Sequence, residues 1–135
     1  MTRRGRIAAR FRTLLAGLLT LAVACDDGGP VGFDPVVTNR ADFFELQAPG
    51  LSNATTITEY VWTNTGNVAT VSQSSSIAGG TATLDLLDGS GDVVYSRNLT
   101  EAGTFTSLQG TAGPWVVRIA LTRVNGDISF QAQKS

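Results

Sequence analysis

The chain has 135 residues, 42% of them apolar and 16% charged, with one Cys, no His and a formal net charge of −1. That length suits a single domain, and the composition is too apolar for disorder and too interrupted for a polytopic membrane protein. A single Cys excludes an intramolecular disulfide, and without His neither a Cys/His zinc site nor Ser-His-Asp or Cys-His catalysis can be assembled in its usual form.

The charge is unevenly spread. Arg3, Arg4, Arg6, Arg10 and Arg12 crowd the start, and no acid precedes Asp26. From Cys25 onward there are five basic and eleven acidic residues, an excess of six negative charges, and nothing forms the basic stripe that nucleic acid needs. Behind the arginines, Leu14–Ala24 is an eleven-residue stretch without charge. As a helix it spans roughly 16 Å, about half a bilayer core, which is too short to cross a membrane but fits the apolar region of a signal peptide. Residues 1–24 are therefore expected to be a signal peptide, with its helix, ahead of an exported domain.

The string Leu21-Ala22-Val23-Ala24-Cys25 resembles the lipobox of bacterial lipoprotein precursors. Ala24 matches the position before the Cys, Val23 is tolerated, and Ala22 stands where Leu is usual. The resemblance implies a diacylglycerol thioether on Cys25, cleavage that makes Cys25 the new N-terminus, and acylation of its amine with a chain such as palmitate. Two or three acyl chains anchor stably where one binds only marginally. The implied location is the cell envelope, with the membrane as a partner through Cys25. Asp26 and Asp27 resemble an inner-membrane retention signal of enterobacterial lipoproteins, a rule other bacteria do not follow, so the membrane stays open. Thr2-Arg3-Arg4-Gly5-Arg6-Ile7 partly resembles a twin-arginine export signal, with Arg6 where an apolar residue is expected.

Asp26–Asn39 is rich in Gly and Pro and reads as a flexible tether, so residues 25–40 are assigned to a lipidated Cys and linker. Pro35-Val36-Val37 is the point where a first strand can begin. From Ala41 to Ser135, short runs of Val, Ile, Thr and aromatic residues alternate with Gly/Asn/Asp/Ser signals. Eight strands are expected, near Asp42–Gln47, Thr55–Asn64, Val68–Ser74, Ala82–Leu87, Val93–Arg97, Thr104–Leu108, Trp115–Thr122 and Asp127–Gln133. Trp115, Val117, Ile119 and Leu121 define one buried face, continued by Ile128, Phe130 and Ala132, while Ala82, Leu84 and Leu86 make another buried row. Asn125-Gly126 reads as a hairpin turn between the last two strands, because both residues tolerate positive φ. The fold class is all-β, an antiparallel β-sandwich or jelly roll.

The pattern Gly80-x-Ala82-x-Leu84-Asp85-Leu86-Leu87-Asp88-x-x-Gly91, followed by Gly113-Pro114-Trp115-Val116-Val117-Arg118-Ile119 and Gly126-x-Ile128-x-Phe130, resembles the jelly-roll domains of pre-peptidase C-terminal type. That family implies binding or accessory roles, with calcium held by acidic residues in some members.

Two candidate sites follow from the residues. Asp85, Asp88 and Asp92 cluster in one hairpin and offer oxygen ligands for Ca²⁺. Val93 and Leu99 stand where an EF-hand needs Gly and Glu, so that loop type is excluded, and the alternative is a turn whose Asp and Gly supply geometry. Tyr60 and Trp62, sharing a face with Thr58, are the better candidates for an exposed aromatic platform for a glycan or a peptide; the alternative is core packing, expected for Trp115. Glu45, Glu59 and Glu101 are the remaining acid/base candidates, with nothing in the sequence placing two together. The functional expectation is a lipid-anchored, non-catalytic envelope protein that binds an envelope partner or supports an assembly. A calcium- or glycan-binding module is the alternative, and a hydrolase ranks third.

Overall fold

A computed structural model describes residues 33–135. Cys25, the expected signal peptide and most of the expected tether lie outside the described residues. The described part is all-β, with seven antiparallel strands: β1 (Val36–Arg40), β2 (Phe43–Asn64), β3 (Ala69–Gln73), β4 (Ser76–Leu87), β5 (Val93–Asn98), β6 (Gly103–Thr106) and β7 (Gly113–Lys134). Strand β1 occupies part of the stretch assigned to the linker, because Val37 and the preceding Phe33 pack on the core.

Two of the strands, β2 and β7, are 22 residues long. Straight, each would reach roughly 75 Å. Instead Asp42 N, just before β2, donates to Thr63 O near its end at 2.8 Å. Strand β2 is therefore folded in half, and β7, paired with it along its length, folds with it. The result is a β-sandwich made from one bent sheet. One layer contains β1, the first half of β2, the second half of β7, β3 and β6. The other contains the second half of β2, the first half of β7, β4 and β5. Two pairs of expected strands are thus single strands that pass through both layers.

The corner lies where register shifts interrupt β2 between Ala48 and Thr56 and β4 between Ile77 and Thr81. Bulges of this kind bend a strand and release main-chain groups from the ladder. Side chains recover some of them: Asp127 Oδ1 accepts from Gly50 N at 2.7 Å, Asn125 Oδ1 from Asn53 N at 2.9 Å, and Thr55 Oγ1 from Arg123 N at 2.9 Å. Asn125-Gly126 is therefore not a hairpin turn. Gly126 has φ 130° and stays paired, with Leu51 on one side and Ile77 on the other. A hairpin and a folded corner need the same residue chemistry, positive φ plus local polar acceptors, so the dipeptide marks the corner.

The two layers enclose one core. The alternation expected for Trp115–Leu121, Ile128–Ala132 and Ala82–Leu86 is observed, with each inward residue buried. Phe44 of one layer meets Tyr60 of the other at 5.4 Å between ring centroids, and Phe44 stacks on Phe130 at 6.0 Å. Trp62 and Trp115, directly opposite in the ladder, meet edge to face at 6.0 Å.

A Cβ on Gly126 would collide with the Ser76 carbonyl oxygen, and at φ 130° an L side chain is strained whatever the space. Gly126→Ala should lower unfolding stability by about 3 kcal/mol or more, whereas Gly50→Ala, at φ 68° with open space around it, should cost about 1–2 kcal/mol. Denaturant melts of the two variants check this, and equal losses would contradict the corner assignment.

Candidate functional site

The hairpin joining β4 to β5 carries the three aspartates, and it sends their carboxylates to different places. Asp85 lies within β4, where alternation points it to the outer face, opposite Arg118 of β7. Its Oδ2 accepts from Arg118 Nη2 at 3.1 Å and from Nε at 3.3 Å, while its Oδ1 is buried with no partner. Asp88 follows the end of the strand and turns inward. Its Oδ1 accepts from Ser90 N and Asp92 N, each at 2.9 Å, and its Oδ2 from Thr111 N at 2.8 Å. Asp92 is exposed. The three residues do not converge, and among the described residues no group of three metal-ligating side chains does. The Asp88 carboxylate is occupied by main-chain donors, so the cluster is a turn and not a calcium cage, with Asp88 tying the hairpin to the Thr111 loop.

Those donors set its acidity. The N–H groups of Asp92 and Thr111 hold the Asp88 carboxyl below its ordinary 3.8. A depressed folded-state value contributes stability that is present above 3.8 and disappears as the pH falls through the folded value. Asp88→Asn keeps one acceptor but sets an amide donor against Thr111 N–H. Its melting temperature should fall below wild type at neutral pH, and the gap should close under strongly acidic conditions. A gap independent of pH would contradict this role.

The aromatic candidates also move. Trp62 is fully buried, with its Nε1 donating to Arg40 O at 3.0 Å, and Tyr60 is half-buried against Phe44. The Thr58/Tyr60/Trp62 side of β2 is the core side, so it presents no platform. The opposite side is the exposed one: Ile57 and Val61 are 72% and 66% exposed, with Glu59 between them. The sequence is ambiguous here because each face of that strand mixes apolar and polar residues. Glu45 lies on the outer face of the first layer and Glu59 on that of the second, while Glu101 sits in the turn after β5 and pairs with Arg97 at 2.7 Å. The fold does not bring these three glutamates together.

Two polar features were not singled out by sequence. One is a row across three strands, Glu59, Arg118 and Asp85, in register on the second layer's outer face. Arg118 is spent mainly on Asp85, with Glu59 farther away at 3.7 Å. The other is a groove of about 330 Å³ between β5 and the segment after β6, lined by Val93, Tyr95, Ser96, Arg97, Thr106 and Leu108. Here the layers are joined by Leu108 N donating to Val94 O at 2.8 Å and by the buried Gln73. The Gln73 amide donates to Asn98 O and Glu101 O and accepts from Tyr95 Oη at 2.6 Å. The Arg97 guanidinium lies 3.8 Å from the Phe105 ring centre. Only an isolated Gln in an otherwise alternating strand hinted at this seam.

Burial pushes the Tyr95 hydroxyl up to about 12, and the nearby Arg97 offsets part of that rise. The Tyr95 hydroxyl is engaged as a neutral donor to Gln73, and the groove offers apolar and hydrogen-bonding contact beside the Arg97 guanidinium. A raised folded-state value contributes stability that is present below 10.0 and lost as the pH climbs through about 12. Tyr95→Phe should strand the Gln73 oxygen and cost about 1–3 kcal/mol at neutral pH. It should also flatten the alkaline decline of stability above pH 10. A variant whose alkaline melts run parallel to wild type would contradict this account.

No family model and no curated protein matches the chain. Among solved structures, it is similar to a chain in the crystal structure of accessory secretory protein 1, 2 and 3 in Streptococcus pneumoniae, with 13% identity over 80% of this chain and 90% of that chain and a TM-score of 0.38. That likeness carries no functional weight.

Proposed function

We propose that the chain is an exported protein held at a membrane of the bacterial cell envelope by lipid on Cys25, and that its β-sandwich is a non-catalytic binding or accessory module. The observation that carries this reading is the sequence Leu21-Ala22-Val23-Ala24-Cys25, which ends an apolar stretch behind a basic start and contains the only Cys of the chain. Two features of the domain support it. Glu45, Glu59 and Glu101 lie apart, on two outer faces and in a turn, the nearest carboxylates Glu59 and Asp85 are both paired with Arg118, and the cluster expected to hold calcium serves a turn. The tether is also short. The domain begins packing at Phe33, so eight residues beyond Cys25 span at most about 29 Å. Such a module works close to the lipid surface.

Fractionation of cells expressing wild type and Cys25→Ser tests the anchor. Wild type should sediment with membranes and incorporate labelled palmitate, and Cys25→Ser should be soluble and unlabelled. Membrane retention of the variant, or an unlabelled soluble wild type, would remove the basis of the proposal.

A further inference from the structure

The second half of β2 is an open sheet edge. Thr63 O accepts from Asp42 N, and Val61 O from Asn39 Nδ2 at 2.9 Å, both on the side away from β7. Main-chain groups alternate sides along an antiparallel strand, so the odd-numbered residues of this segment direct their N–H and C=O to that side. Among the described residues, nothing pairs with the main chain of Ile57 or Glu59 there. The same residues carry the exposed side chains: Ile57 and Val61 are the two most exposed large apolar residues of the layer's outer face, at 72% and 66%. An open edge beside exposed apolar side chains is a template for another strand.

The charges along the edge select the strand. Glu59 is held only loosely, 3.7 Å from Arg118, whose better contact is Asp85 at 3.1 Å. Arg123 is exposed and has no carboxylate partner among the described residues, and its main chain is bonded to Thr55 Oγ1. A negative group therefore lies two residues after Ile57, and a positive residue is attached at the position two before it. A twofold axis beside Ile57 exchanges the two: Glu59 of each copy comes opposite Thr55 of the other, with that copy's Arg123 one strand further on in β7, across the short Thr55 side chain. Pairing about Glu59 would instead oppose two carboxylates. We infer that this edge joins two copies of the chain, antiparallel about Ile57, into one continuous sheet. Such an edge meets itself in a closed twofold contact. Residues Thr55–Glu59 form the new ladder, which ends at the corner on one side and at the Val61–Asn39 bond on the other.

The full-length chain with Cys25→Ala leaves an introduced thiol as its only one. In that background Ile57→Cys should oxidise to a covalent dimer, because residues at the axis have Cα atoms about 5.5 Å apart. Val61→Cys should not, since its copies would be separated by eight residues of strand, about 27 Å. By sedimentation, Glu59→Arg and Arg123→Glu should each weaken dimerisation about tenfold, and the double reversal should restore it. A parent chain that sediments as a monomer at every concentration would overturn the inference. So would crosslinking through Val61→Cys as fast as through Ile57→Cys, or a double reversal no better than the single ones.

Discussion

The structure depends on one requirement: two long paired strands must turn a corner together without losing their hydrogen bonds. A ladder that bends must release some main-chain groups, and each needs a new partner that also fixes the path of the bend. Here the corner is assembled from residues that answer that need locally. Asp127, Asn125 and Thr55 put side-chain oxygens where the ladder is interrupted, and Gly126 lets β4 and β7 approach backbone to backbone. With the corner set, the inward faces of both layers close on Phe44, Trp62, Trp115 and Phe130, and the termini of β2 and β7 meet around Asp42. Asp42 N donates to Thr63 O, its carboxylate accepts from Thr65 N at 2.7 Å, and Lys134 approaches that carboxylate at 3.5 Å.

This dependence explains which parts of the fold can be read from sequence. Period-two alternation is legible wherever one face is wholly buried and the other is wet, as at Trp115–Leu121 and Ala82–Leu86. It fails between Ile57 and Trp62, where an aromatic-rich core face lies against an outer face that itself carries Ile57 and Val61. Turn chemistry is legible as a change of direction but not as its kind. Asn125-Gly126 announces positive φ equally well for a hairpin and for a corner that keeps both neighbours. Strand β1 is half legible: Pro35-Val36-Val37 marks where a strand can begin, but the Gly and Pro upstream read as linker, and the five-residue edge strand gains its place only by pairing with β2.

The candidate sites illustrate a second limit. Asp85, Asp88 and Asp92 are close in sequence, yet a single change from strand to turn sends Asp85 outward to Arg118 and Asp88 inward to three main-chain donors. Proximity along a β-hairpin does not imply convergence, since alternation separates neighbours by a whole sheet thickness. The contacts that organise the surface are cross-strand ones. The Glu59–Arg118–Asp85 row and the Gln73–Tyr95 seam join residues tens of positions apart, and no local pattern encodes them.

Strand β1 has a mechanical consequence. It lies at the edge of its layer and runs antiparallel to β2, so a pull on its N-terminal end loads its hydrogen bonds one at a time, from Val36 toward Arg40. Such a peel needs little force per step. It would stop at Arg40–Asp42, where the Trp62 indole holds the Arg40 carbonyl and Asp42 is bonded to Thr63 and Thr65. Beyond that point the load passes to the 22-residue strands, whose bonds resist together. The first strand then acts as a spring of about five residues in series with a stiff body, lengthening the reach of the domain by roughly 17 Å at the cost of the Val37 core contact and the Asn39–Val61 bond, before the long strands are loaded.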